Sequence, residues 1–117
     1  MRSLADLLHR LAANATSQSR FPVLKKGKAL PKGARKRAWG IRRKVLGTPA
    51  NLAVHSKKLD ELVRPRRHAA AVRQLLAEGG YTLPGKEGRF VSQLKVKGFG
   101  PSAKPYFVRV RRDRLPK

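Results

Sequence analysis

The sequence predicts an α+β fold in which two helices pack on a short antiparallel sheet, with a long basic extended insertion between the helices. Three observations predict it. Apolar residues recur at helical spacing over 3–14 and 56–80, and they alternate with polar residues over 89–97 and 105–112. The first period is typical of amphipathic helices and the second of strands with one buried face. Residues 15–55 are basic and interrupted by Gly and Pro, which predicts an extended segment.

The first predicted element is a helix that ends near residue 14. Its apolar stripe has the spacing i, i+3, i+4, i+7 and consists of Leu4, Leu7, Leu8 and Leu11. Ser3 followed by Asp6 predicts an N-cap with an acidic residue in the first turn. The first twenty residues carry three arginines and a single acid, which is also typical of an organellar transit peptide. We favour the folded helix, because such a cap is expected in a folded helix.

The second predicted element, residues 15–55, is an RNA-binding insertion. Its central tract, residues 25–44, holds ten cationic side chains: Lys25, Lys26, Lys28, Lys32, Arg35, Lys36, Arg37, Arg42, Arg43 and Lys44. A segment this charged buries too little apolar surface to offset its own conformational entropy. We therefore expect it to be extended and ordered mainly by what it binds.

Residues 56–117 are predicted to complete one small domain with helix and β-hairpin. Ser56 begins a short helical turn, and Pro65 fits the first turn of the next helix, where its missing N–H costs nothing. Gly79 and Gly80 end that helix, because glycine tolerates a positive φ. Its apolar face consists of Ala69, Val72, Leu75 and Leu76.

Two strands follow, separated by a glycine- and proline-containing turn at residues 98–102. In the second strand the alternation places Tyr106, Val108 and Val110 on one side and Phe107, Arg109 and Arg111 on the other. We expect Tyr106 to belong to the core and Phe107 to its rim. An antiparallel pair is the expected arrangement.

Charge indicates the class of partner. The chain has 29 Lys and Arg against 6 Asp and Glu, a net charge of +23, and no acid between Leu7 and Leu59. Like charges at this density oppose compaction, so a polyanion is the expected partner, and nucleic acid is the commonest one. The tract at 25–44 fits phosphate contacts. The alternative is a targeting or solubilising run.

Several other functions find no support. Without cysteine there is no disulfide or thiolate site, and the three histidines lack metal-ligand spacing. No apolar run approaches a membrane span. No acid or base is placed with a partner for catalysis. We therefore predict no enzyme activity, no cofactor or metal, no membrane partner and no small-molecule substrate.

Two interpretations are open for the role of Trp39 and for the role of each of two smaller basic clusters. Trp39 either stacks on a base or anchors the basic tract to the folded part. The cluster Arg64, Arg66 and Arg67 is either solvated or holds a phosphate near a helix N-terminus. The cluster Arg109, Arg111 and Arg112 is either an ordinary polar strand face or a basic surface for RNA.

Four short motifs, in chain order, resemble the S-eight family of small-subunit ribosomal proteins. They are Asp6-Leu7-Leu8-His9-Arg10-Leu11 with Ala13-Asn14-Ala15, Leu75-Leu76-Ala77-Glu78-Gly79-Gly80-Tyr81, Ala103-Lys104-Pro105, and Arg112-Asp113-Arg114-Leu115-Pro116. The match covers roughly half of the chain in short motifs, and the order helix, helix, strand, strand also agrees.

The resemblance implies an rRNA-binding structural protein of the small ribosomal subunit, with neighbouring ribosomal proteins as further partners. The family joins its first two helices by a short strand segment, where this chain has about 40 basic residues. The family's C-terminal domain, with its RNA-contacting Ser-Thr-Ser-x-Gly-like loop, is not expected here, and the insertion would substitute for it. Shortened, extended and basic forms are expected of organellar ribosomes, so we expect a mitochondrial protein. The alternatives are a large-subunit organellar ribosomal protein and a DNA-compacting protein.

Overall fold

The structure is a computed structural model that describes residues 2–24, 28–42, 52–101 and 104–116. Within these ranges the chain forms three helices and a five-stranded antiparallel sheet. The helices are α1 (Arg2–Asn14), α2 (Ser56–Leu62) and α3 (Ala69–Glu78). The strands are β1 (Gly40–Arg42), β2 (Leu52–His55), β3 (Thr82–Leu83), β4 (Ser92–Gln93) and β5 (Tyr106–Val110). The prediction of an α+β fold is confirmed.

The sheet is built around β5. Strand β2 pairs along one side of β5, with Val54 opposite Val108 and His55 opposite Phe107. Strands β3 and β4 share the other side, β3 beside the end of β5 and β4 beside its beginning. Strand β1 extends the sheet beyond β2. β5 is therefore an interior strand, paired along both of its edges.

The helices cover one face. The helical core contains Leu7 and Leu11 of α1, Leu59 of α2, and Val72 and Leu76 of α3, all with no exposed surface. These side chains pack on the strand residues Leu52, Val54, Val108 and Val110. The amphipathic periodicity of the helices is thus satisfied by one side of the sheet.

Irregular chain covers the opposite face. This second core contains Ile41, Ala53 and Phe107 from the strands, together with Leu24, Leu30, Ala38, Val96 and Phe99 from segments outside helices and strands. Its two covering segments are joined by a hydrogen bond in which Leu30 N–H donates to the Lys97 carbonyl at 2.8 Å. Gly98 follows with φ of 108°, and a Cβ there would lie 2.7 Å from that of Leu30, so this close approach requires glycine.

The described parts of residues 15–55 are built into the fold, whereas the extended insertion as a whole stays a prediction, since residues 25–27 and 43–51 lie outside the described residues. Residues 40–42 and 52–55 form β1 and β2. The N–H of Leu24 donates to the Arg42 carbonyl at 2.9 Å, so residues 22–24 run beside β1. In these described parts a few widely spaced apolar side chains contribute to the second core.

The ends of the predicted helices differ little from the structure. Helix α2 begins at Ser56, and α3 begins at Ala69 after a 3₁₀ turn at Arg66–His68. Gly80 has a φ of 70° directly after α3, as its predicted role requires. Ser3 does not cap α1; it lies inside the helix, and its hydroxyl is hydrogen-bonded to His68 Nδ1 at 2.7 Å. This partly buried bond ties α1 to the turn before α3.

The predicted roles of Tyr106 and Phe107 are reversed. Phe107 is fully buried in the second core, whereas Tyr106 is 47% exposed. The prediction assumed one buried face, but β5 is interior and irregular chain covers its second face. The predicted strand over 89–97 is also short, since only Ser92–Gln93 pairs with β5.

Candidate nucleic-acid interface

Most of the predicted cationic residues that the structure describes are exposed. They are Lys28, Lys32, Arg35, Lys36, Arg37, Arg64, Arg66 and Arg67. Arg35 and Lys36 lie on a 3₁₀ turn at Ala34–Lys36. Lys25, Lys26, Arg43 and Lys44 lie outside the described residues. The predicted cationic surface is thus open to a partner along the tract 28–37.

Arg42, by contrast, is engaged within the protein. Its Nε donates to the Phe21 carbonyl at 2.7 Å, and its Nη2 lies 3.3 Å from the acceptors Thr16 O and Gln18 Oε1. The guanidinium therefore holds the turn after α1 against β1. Sequence alone cannot separate this arginine from its exposed neighbours.

Trp39 makes the contacts of an anchor. Its ring meets that of Phe21 edge to face, with centroids 6.1 Å apart. The Arg20 guanidinium lies 4.8 Å from the ring centroid, a cation–π distance. The Trp39 N–H of the backbone also donates to the Arg20 carbonyl at 2.7 Å. These contacts join the basic tract to the helical core.

The cluster at the end of β5 is also partly used inside the protein. Arg109 Nη2 donates to the Pro84 carbonyl at 2.7 Å, and Arg111 pairs with Asp113 at 3.1 Å. Arg112 is half-buried on a 3₁₀ turn. Among described residues, Nε of both Arg109 and Arg111 is buried without a partner.

Arg64, Arg66 and Arg67 are exposed, but they do not lie at the N-terminus of α3. Arg66 begins the 3₁₀ turn, so the cluster lies ahead of α3. The N–H groups of His68 and Ala69 already donate to carbonyls in that turn. Those two N–H groups are therefore already hydrogen-bonded and do not bind a phosphate together with the arginine side chains. All three arginines remain exposed.

A groove of about 580 Å³ opens beside the second core. We call it the aromatic groove and define it by six of its lining residues: Arg35, His55, Lys57, Lys58, Phe99 and Tyr106. It combines an apolar wall with three cations. Its volume falls within the range typical of small-ligand sites, roughly 300–1,000 Å³.

The aromatic wall rests on the sheet. His55 stacks on Phe99 with centroids 5.2 Å apart and planes 11° apart. Both rings meet buried Phe107 edge to face, at 5.6 and 5.3 Å. Because His55 and Phe107 are paired across β2 and β5, the wall has a fixed backbone behind it.

His55 is held in its neutral form. Burial is the largest cause that lowers its pKa below 6.5, and the positive charges of Lys57, Lys58 and Arg35 lower it further. Glu61 acts in the opposite direction. Near neutral pH the ring therefore carries one N–H donor and one acceptor nitrogen.

Neighbouring hollows extend the cationic surface on both sides of the aromatic groove. Lys58 also lines a hollow that contains Arg10, Arg20, Arg64 and Trp39. Tyr106 also lines one that contains Lys86, Arg89 and Arg109. We call this continuous surface the basic belt. Glu61 and Glu87 lie within it, and each is paired with a cation of the belt, Lys58 at 3.0 Å and Arg89 at 4.0 Å.

Sequence reasoning missed the aromatic groove. Of the six residues that define the groove, only Arg35 was predicted to bind RNA. The sequence did not indicate a site at the other five, His55, Lys57, Lys58, Phe99 and Tyr106. The signal available was a pair of lysines directly after a histidine that ends an apolar stretch. Their meeting with Phe99 and Tyr106 depends on strand pairing, which the sequence does not display.

Other chemistry finds no support in the described residues. They hold no group of three or more metal-ligating side chains. None of the helices among them has the length and apolarity to cross a membrane. Neither a scan against protein-family models nor a search of curated proteins finds a match to this chain.

Proposed function

We propose that this protein binds ribosomal RNA as a structural component of the small ribosomal subunit, and that it does so in the mitochondrion. The observation that carries the proposal is the basic belt, which runs past three connected hollows on one small fold. Contacts of Lys and Arg with phosphates position RNA and stabilise it without reading much sequence.

The RNA part of the proposal is supported by charge and by shape. A net charge of +23 is unfavourable for a free protein and is offset when phosphates neutralise it. The belt is also interrupted by aromatic side chains, a combination typical of surfaces that bind single-stranded nucleic acid.

The ribosomal part of the proposal is supported by the resemblance to the S-eight family. Its four motifs follow one another along the chain in the same order as in the family. The mitochondrial location is inferred from the basic, shortened character expected of organellar forms.

The RNA-binding claim is tested by titrating the full chain with small-subunit rRNA fragments at several salt concentrations. Each phosphate contact to a single strand contributes about −0.7 to the slope of log K against log salt. For six or more contacts we expect a slope of about −4 or steeper. A slope near zero would contradict the proposal. Tighter binding to duplex DNA of equal length would favour the DNA-compacting alternative.

A further inference from the structure

We propose that the aromatic groove receives one unpaired nucleotide of the bound RNA, with the base stacked on Tyr106 beside the aromatic wall and its phosphate against Arg35 and Lys57. This inference rests on the proposed RNA-binding function and assigns a particular site to it. The argument follows from the exposed ring, the cations beside it and the rigidity of the wall.

Tyr106 is the exposed ring. It is the only large aromatic side chain among the described residues with nearly half of its surface exposed, 47%. Its neighbour Phe107 is completely buried in the same strand, so the exposure of Tyr106 does not come from a loose segment. An exposed aromatic ring offers a π face that any base can stack on.

The cations beside the ring fit a phosphate. Arg35 and Lys57 line the aromatic groove, and within the described part of the chain neither forms an ion pair with a carboxylate. Lys58 is paired with Glu61 at 3.0 Å. The negative charge of Glu61 therefore disfavours a phosphate at that end and leaves Arg35 and Lys57 as the phosphate side.

The wall is preorganised. Phe99, His55 and Phe107 form a closed set of ring contacts, each pair between 5.2 and 5.6 Å. Because His55 and Phe107 lie on paired strands, binding does not have to order the wall first, which lowers the cost of binding. Neutral His55 adds a hydrogen-bonding edge for a base.

An unpaired nucleotide fits this combination better than a duplex does. The bases of a duplex are stacked on one another, and their faces are not accessible to a side chain. Unpaired bases in loops and bulges are the usual partners of aromatic side chains. An acidic peptide would satisfy the cations but would leave the exposed ring without a stacking partner.

The test compares the full chain with Tyr106→Ala and Tyr106→Phe. The probes are a single-stranded RNA of ten uridines, the same RNA with abasic sites, and an RNA duplex. We expect Tyr106→Ala to weaken binding to the uridine strand by about 5- to 150-fold, with an unchanged salt slope because no charge is lost. Tyr106→Phe should stay within about twofold of the wild type, and abasic RNA should bind wild type and Tyr106→Ala equally.

A charge variant and a surface control complete the test. Arg35→Gln combined with Lys57→Gln should make the salt slope shallower by about 0.7, the contribution of the one phosphate that both cations contact. Val23→Ala removes an exposed apolar side chain that does not line the groove and should leave affinity unchanged. The fluorescence of Trp39, the single tryptophan, reports whether each variant is folded.

Crosslinking of the wild type keeps the test independent of variant folding. RNA containing 4-thiouridine should crosslink to Tyr106 or its groove neighbours. Salt-dependent RNA binding that Tyr106→Ala leaves intact, with crosslinks only outside the groove, would overturn this inference while the proposed function stands. Displacement of the RNA by an acidic peptide that crosslinks at the groove would also overturn it. Loss of all RNA binding in the wild type would overturn both.

Discussion

At the scale of single residues, His55 joins the core to the surface. Its ring stacks on Phe99 of the second core and also lines the aromatic groove. Burial and three nearby cations disfavour its protonated form. A histidine placed in this way links the stability of the fold to pH.

Stability should therefore fall as the pH is lowered. In the unfolded chain His55 takes up a proton as the pH falls below about 6.5, whereas its pKa in the folded state is lower. The unfolded state then binds more protons, so the free energy of unfolding decreases until the pH is below the folded pKa, where the loss levels off. The groups facing His55 are Lys57 and Lys58 of α2, Arg35 of the 3₁₀ turn, and Glu61.

The measurement is denaturant unfolding of His55→Gln and the wild type between pH 7.5 and 5. The variant should show a smaller decrease in unfolding free energy than the wild type. His9→Gln, which replaces an exposed ring on α1, serves as the matched control and should follow the wild type. Equal pH dependence of His55→Gln and the wild type would contradict the assignment.

At the scale of elements, the described residues between positions 24 and 38, called here the basic segment, have two roles. Leu24, Leu30 and Ala38 cover the second face of the sheet, while Lys32, Arg35 and Arg37 are exposed on the other side of the same segment. The segment is irregular, so its apolar residues show neither helical nor strand periodicity. It therefore serves as a cover for the core and as part of the cationic surface.

This explains how far the sequence predicts the molecule. The helices were predictable because Leu7, Leu11, Val72 and Leu76 repeat at helical spacing over one face. Strands β1 and β2 could not be predicted from the sequence, because they are short and their apolar residues lie within a strongly basic region. The aromatic groove could not be predicted either. His55 and Tyr106 are 51 positions apart in sequence, and they are brought together only by the pairing of β2 with β5.

Removing a side chain from the second core tests the role of the basic segment. Leu30 is 6% exposed, so Leu30→Ala should reduce the free energy of unfolding by about 2–5 kcal/mol, the usual cost of truncating a buried leucine. Val23→Ala, at a position 49% exposed, should cost less than about 0.5 kcal/mol. Chemical denaturation in the absence of RNA measures both. Equal, small effects would mean that the segment does not belong to the core.

At the scale of the whole molecule, two small cores hold together a chain with a net charge of +23. Self-repulsion of this size opposes the compact state, and the two layers of apolar side chains on the sheet counteract it. In the proposed function the same charges of the basic belt contact phosphates. On that proposal folding and binding are coupled, since RNA that neutralises the belt also removes the repulsion between its cations.

The most direct test of the proposed function is sedimentation of a mitochondrial lysate that contains the tagged full chain, in a gradient at moderate salt. The account predicts that the protein sediments with the small ribosomal subunit and remains there after washing. Sedimentation with the large subunit would contradict the assignment to the small one. Sedimentation with the nucleoid, or at the top of the gradient as free protein, would contradict a ribosomal role altogether.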